Sequence, residues 1–262
     1  MNTSGLLASR FELIRVAKTG GMGQLFEGVD QQSGDPVAIK MALPAPGAAE
    51  GLSQEARALA LCDHPSVVRY VAHGESADAV PYLAMEWLDG ETLAAVLERG
   101  PLSAPEVIEI GTRVASALAH LHSRDLVHRD VSPSNILLQA GSADRAKLID
   151  LGAALLVAKT SVVPGAAKSL PPTRLVGAPS YVAPEQANGA SDLDGRADLF
   201  SLGAVLYEAL TGVRAFDGDN ALAVLAKVAP SQPDFSRLRA CAPPGLFHLV
   251  QACLSKSPED RP

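Results

Sequence analysis

Aromatic side chains are scarce in this chain: Phe, Tyr and Trp make up 4% of its 262 residues. Leu, Val and Ala must therefore pack the interior, and a hydrophobic fraction of 47% is enough for a sizeable core in one large domain or two lobes. Cysteine is scarce too. Cys62, Cys241 and Cys253 lie far apart and form no CxxC pair, which takes away support for zinc or dithiol redox chemistry; an odd, small count suits a reducing cytosol. Basic residues are outnumbered, 22 to 29, and the net charge of −7 argues against nucleic acid or an anionic membrane as the main partner. The longest apolar run, from Ala197 to Leu210, is interrupted by Asp198, Ser201 and Glu208 and reads as a buried helix rather than a membrane span. The opening MNTSGLLASR is too short and too polar for a signal peptide, so a cytoplasmic protein is expected. No GxxxxGK[ST] run exists, which excludes a P-loop.

Phe11 to Val29 reads as two short strands joined by a turn at Thr19-Gly20-Gly21-Met22-Gly23. Pro36 to Met41, Val67 to Val71 and Tyr82 to Trp87 read as further strands, and Ala48 to Leu61 has helix composition. After Asp89-Gly90 the character changes. Ser103-Ala104-Pro105-Glu106 is a capping box, and Val107, Ile110, Val114, Leu118 and Leu121 follow at helical spacing. Gly195 to Thr211 is a helix apolar on nearly all sides, expected at the centre of its lobe, and Pro243 to Leu254 is another. Residues 157–174, rich in Ala, Pro, Ser and Thr, read as a long loop.

Several short motifs carry chemistry. Gly20, Gly21 and Gly23 let a backbone approach phosphates without an intervening Cβ, although glycines between two strands also make an ordinary hairpin turn. Lys40, following Val37-Ala38-Ile39 on its strand, could hold phosphates or be an ordinary exposed strand lysine. Glu55, fifteen residues on in a helix, could fix its rotamer. Met85-Glu86-Trp87-Leu88 is an extended connector whose backbone groups could pair with a base, or a plain edge strand. Glu91 could meet a ribose or be a first-turn helix carboxylate. His128-Arg129-Asp130 with Asn135 is more specific. Asp130 can accept the proton of an incoming hydroxyl, and Asn135 offers a neutral oxygen to a divalent cation. His128 reads as a packed, hydrogen-bonded histidine, and Arg129 as a holder of a loop phosphate. Asp150, after two apolar strand residues, is a metal ligand or a turn aspartate.

In order, GGMG, VAIK, Glu55, MEWLDGETL, HRDVSPSN, DLG, GAPSYVAPE and DLFSLG make the chain, from Phe11 to its last residue, similar to the bacterial eukaryotic-like Ser/Thr protein kinases. The resemblance implies a bilobal α+β fold. A small antiparallel N-lobe sheet with one main helix would span residues 11–86 after an extension at 1–10. A hinge at 86–90 would lead to a larger, mostly helical C-lobe at 91–262. It implies ATP and Mg²⁺ as cofactors and a protein substrate with Ser or Thr. Lys40 and Glu55 form the activating pair, Asp130 is the base, and Asn135 and Asp150 hold the metal. The nucleotide site it implies comprises Ala17, Lys18, Thr19, Gly20, Gly21, Met22, Gly23, Leu25, Ala38, Lys40, Met85, Glu86, Leu88, Glu91 and Leu137. Glu185 pairs with Arg261, and Asp198 braces the catalytic loop.

The chain departs from that family at four places. Lys18 stands for the first glycine of GxGxxG, and Leu151 for the phenylalanine of DFG. Ser132 replaces the catalytic-loop lysine, and Ala178 the threonine that would bond it, so both partners of one network are gone together. Lys18, Lys159 or Lys168 could supply charge instead. Thr160, Ser161, Ser169 and Thr173 are candidate autophosphorylation sites. The chain stops at Arg261-Pro262, short of the family's final helix, as a domain excerpt or a shortened protein would. The leading reading is a Ser/Thr protein kinase. A pseudokinase that binds nucleotide or a partner and signals by shape draws on Lys18, Ser132 and Ala178, and a small-molecule kinase is set against GAPSYVAPE, which favours a peptide.

Overall fold

Alternation of apolar and polar residues from Phe11 onward produces the strands that the sequence predicts there. A computed structural model describes residues 6–20, 23–152, 154–156, 178–190 and 192–262. It divides into two units, residues 1–89 with 150–152, and residues 90–149 with 153–262.

The first unit is built on β1 (Phe11–Thr19), β2 (Gly23–Asp30), β3 (Pro36–Ala42), β4 (Tyr70–Glu75) and β5 (Pro81–Glu86), an antiparallel sheet in the order β1-β2-β3-β5-β4. Because side chains alternate across a strand, Val37, Ile39 and Met41 fall on one face with Phe11, Phe26, Tyr82 and Ala84, and there they form an apolar core. Leu7 joins that core, ahead of the boundary expected at Phe11. Ala38 and Lys40 fall on the other face. Helix α1 (Ala48–Ala60) packs against β3, β4 and β5 through Leu52, Glu55, Ala56 and Leu59, residues spaced to share one side. Gly23 permits the close approach of β2 to β3, since a Cβ there would lie 2.8 Å from the Met41 carbonyl oxygen.

One strand differs from expectation. Val67 and Val68 are buried, but the chain turns there, with Val67 N–H donating to His64 O at 3.0 Å. The strand runs instead over Tyr70–Glu75, whose polar residues concealed it. Apolar burial and ladder formation usually coincide, and here they separate.

The second unit is mostly helical. A small antiparallel sheet of β6 (Gly90–Thr92), β8 (Ile136–Gln139) and β9 (Ala146–Leu148) adjoins α2 (Leu93–Leu97), and β7 (Leu126–Val127) pairs with β10 (Leu155–Leu156). Helix α3 (Ala104–His122) begins at Ser103, whose N–H donates to Glu106 Oε2 at 2.9 Å, and it buries Val107, Ile110, Val114, Leu118 and Leu121. After α4 (Pro184–Ala187), helix α5 (Gly195–Thr211) starts at the Asp194 cap and stops at Gly212, where φ is +71°. Nearly every side of α5 is buried, and it packs against α3 and two later helices, α7 (Phe235–Cys241) and α8 (Pro244–Cys253); α6 (Ala221–Val228) precedes them. Among the described residues no helix is long and apolar enough to cross a membrane.

Candidate active site

The face of the first unit's sheet opposite its core carries much of the expected nucleotide site. Across the ladder Leu25 stands opposite Lys40, and Ala38 opposite Met85, so these four share that face. Lys40 Nζ donates to Glu55 Oε2 at 2.7 Å and to Asp150 Oδ2 at 3.3 Å. Burial acts to lower the lysine's pKa, and the Glu55 and Asp150 charges outweigh it, leaving Lys40 raised. Glu55 is 3% exposed. Burial and then the Asp150 charge push its carboxyl up to about 7, against the pull of Lys40. Asp150 Oδ1 accepts the Gly152 N–H at 2.7 Å, a tight turn that aims the carboxylate.

Ala17, Lys18 and Thr19 are exposed at the end of β1, and Gly20 N–H donates to Gly23 O at 2.9 Å. Gly21 and Met22 lie outside the described residues. The connector after β5 is less free than expected. Glu86 N–H is spent on Arg69 O at 2.9 Å and Trp87 N–H on Pro36 O at 3.3 Å, while Leu88 N–H makes no hydrogen bond among the described residues. The Glu86 carboxylate also accepts Arg69 N–H at 2.8 Å.

The second unit carries the catalytic loop. Asp130 Oδ2 accepts Asn135 Nδ2 at 2.9 Å, the same nitrogen that bonds Asp130 O. Asn135 thereby keeps its amide oxygen as the atom available to a cation. Asp130 Oδ1 accepts Ala178 N–H at 3.3 Å. Asp198, fully buried, accepts His128 N–H at 2.9 Å and Arg129 N–H at 2.8 Å, and its Oδ2 lies 2.8 Å from His122 Nε2. His128 is packed as expected, with no exposure and with Nδ1 accepting Asp130 N–H at 3.3 Å. Arg129 is half-buried; burial lowers its pKa and the Asp198 charge opposes that shift. Ser132 is buried, its Oγ 3.0 Å from Ser134 Oγ.

Arg261 is buried and bonds Glu185 through both ends of its guanidinium, at 2.6 and 2.8 Å, and also the Ser255, Arg196 and Lys256 carbonyls. Glu91 lies on β6, not in a first helical turn, and is gripped by Arg99 at two oxygens, each at 2.7 Å. Leu137 lies on β8. Lys159, Thr160, Ser161, Lys168, Ser169 and Thr173 lie outside the described residues. Sequence reasoning missed His122, the Ala178 N–H and Gln186, whose amide bonds the catalytic loop at Arg129 O.

In the first unit Asp150 offers a carboxylate, and in the second Asn135 offers an amide oxygen; each is a hard oxygen donor of the kind a divalent cation such as Mg²⁺ takes. Among the described residues no group of three or more His, Cys, Asp or Glu could hold a metal, so an all-protein cage is not built there.

A lysine held by a helix carboxylate, and a catalytic-loop aspartate braced from a central helix, are the defining parts of a protein kinase. The family model described as "Protein kinase domain" matches residues 11–262, and the chain belongs to that family. It is 37% identical over 266 residues to serine/threonine-protein kinase pkn2 of Myxococcus xanthus, an alignment covering 98% of this chain and 31% of that protein. It is 36% identical over 264 residues to PknA of Mycobacterium tuberculosis, covering 97% of this chain and 58% of the relative. With PknB of Mycobacterium leprae the identity is 35% over 280 residues, covering all of this chain and 42% of the relative. The chain thus spans less than two thirds of the length of these relatives.

Proposed function

We propose that this chain transfers the γ-phosphoryl group of ATP to Ser or Thr hydroxyls of proteins, with Mg²⁺ as the metal. The observation that carries the proposal is Lys40, held at 2.7 Å by a buried glutamate and at 3.3 Å by Asp150. Phosphoryl transfer needs mainly positioning and neutralised charge. Lys40 holds phosphates, and Glu55 keeps it in place. Leu25, Ala38 and Met85 offer apolar surface to the adenine, and Leu88 N–H offers it a donor; for Leu137 that role rests on the resemblance alone. Asp150 of the first unit and Asn135 of the second would each offer an oxygen to Mg²⁺, which would supply charge neutralisation for the phosphates. Asp130 takes the hydroxyl proton, its carboxylate aimed by Asn135 Nδ2 and Ala178 N–H. The Ser and Thr residues of the 157–174 stretch are our proposed autophosphorylation sites, with Arg129 as the holder of the phosphate. We place the protein in the cytoplasm, where its three free cysteines stay reduced.

One observation favours a second reading, a nucleotide-binding module without turnover: Ser132 is buried against Ser134 where the family's lysine would put a cation. A single assay decides. The chain is incubated with labelled ATP, Mg²⁺ and a generic basic protein, beside Asp130→Asn. General-base loss is expected to cut transfer on the order of 10²- to 10⁴-fold. Equal transfer by both proteins, with ATP still bound, would leave the second reading standing.

A further inference from the structure

The peptide group joining Arg129 to Asp130 is gripped at both ends by side chains. Its N–H donates to His128 Nδ1 at 3.3 Å, and its carbonyl, Arg129 O, accepts Gln186 Nε2 at 2.9 Å. One residue earlier, Arg129 N–H donates to Asp198 Oδ1. Arg129 has φ +67°, in the left-handed region that residues with a Cβ disfavour, so this turn persists only where its surroundings hold it.

The Gln186 amide can face only one way. Arg129 O accepts and cannot donate, while on the other side Ala183 N–H donates towards Gln186 Oε1 at 3.5 Å. Its neighbour Glu185 is locked to Arg261, so the short helix carrying both side chains is anchored to the end of the unit on one side and to the catalytic loop on the other. The same stretch reaches the base again through Ala178 N–H. Ser132 and Ala178 cannot make the lysine–threonine link that the resemblance implies, and these two bonds join the same two segments.

We propose that Gln186 is a positioning residue for Asp130, holding the strained peptide before the base and coupling it to the substrate-facing segment. This rests on the reading of Asp130 as the base. Gln186→Glu keeps the size and the acceptor for Ala183 N–H but sets a carboxylate against the Arg129 carbonyl; Gln186→Met removes the donor without adding charge; Gln186→Lys restores a donor. The expected result is a fall in kcat of up to about a hundredfold in the Glu and Met variants. KM for ATP should stay unchanged, any drop in the unfolding midpoint should be too small to account for the loss of rate, and the Lys variant should recover most of the rate. Wild-type kcat in the Glu and Met variants overturns the proposal, as does a loss that tracks the unfolding midpoint and is not recovered by Lys. Amide hydrogen exchange at residues 128–130 gives a readout independent of turnover: faster exchange in the Glu and Met variants supports the grip, and unchanged exchange overturns it. Should wild type transfer no more phosphate than Asp130→Asn, the kinase reading falls, and exchange still decides the role of Gln186.

Discussion

Lys40 in the first unit is held by two opposite charges, Glu55 and Asp150, whereas Asp130 in the second is aimed by the neutral Asn135 amide and the Ala178 N–H. The difference follows from what each group would do in the proposed reaction. A phosphate-holding lysine half-shielded from water keeps its proton only if carboxylates offset the burial, as the opposing influences on its pKa show. A base must keep a usable lone pair, and the Asn135 amide and the Ala178 N–H help to orient the Asp130 carboxylate without adding charge. The first arrangement depends on partner charges and the second on backbone placement, and the two should fail differently.

The largest expected effect comes from the place where the second unit abandons its own pattern. Arg261→Ala leaves Glu185 facing several carbonyls with its cation gone, and breaking a buried pair in this way costs about 3–5 kcal/mol. Urea unfolding measures it; a loss below 1 kcal/mol would show that the pair is solvated in practice. Lys40→Met should lower kcat on the order of 10²- to 10³-fold, as removal of a charge-stabilising donor does, and should also cost stability, because Glu55 is left buried without its cation; steady-state kinetics beside urea unfolding check both. Asp198→Asn turns one carboxylate oxygen into a donor facing donors, expected to cost about 1–3 kcal/mol in stability and to slow transfer. If instead it left both untouched, the brace would be no brace. Ser132→Lys should change the rate by no more than about threefold. The site is buried and Ala178 has no side chain to anchor the new ammonium, and a large gain would show that charge, not hydrogen bonding, limits the second unit too.

How much of this was legible depended on where the information sits. Helix α5 matches the bounds read from its apolar run, and in the structure the Asp194 side chain caps one end while Gly212, in the left-handed region, closes the other. The capping box at Ser103 was equally visible. Lys40, Glu55, Asp130, Asn135 and Asp150 were named from motif order, and the structure sets Lys40, Glu55 and Asp150 together in the first unit and Asp130 with Asn135 in the second. The strand β4 was misplaced because Val67 and Val68 are buried by a turn. The small sheet of β6, β8 and β9 went unread, with only three or four residues in each strand. The Ala178 N–H was invisible because every residue except proline has one, so nothing in the letter marks it as a ligand of the base. Gln186 was passed over as one polar residue after Glu185, and only the fold shows what its amide meets.

Arg129 carries a last consequence. A glycine would take its backbone conformation freely; arginine does so at a cost of about 1–2 kcal/mol. Its ordinary conformations lie in another basin of backbone space, separated from this one by a steric barrier rather than a slope. As its holds weaken, the loop should therefore not drift by tenths of an ångström but flip, carrying the Asp130 carboxylate out of register in one move. Graded weakening of those holds should then leave two loop conformations in exchange, with kcat falling with the fraction in the competent one rather than through a gradual distortion of every site.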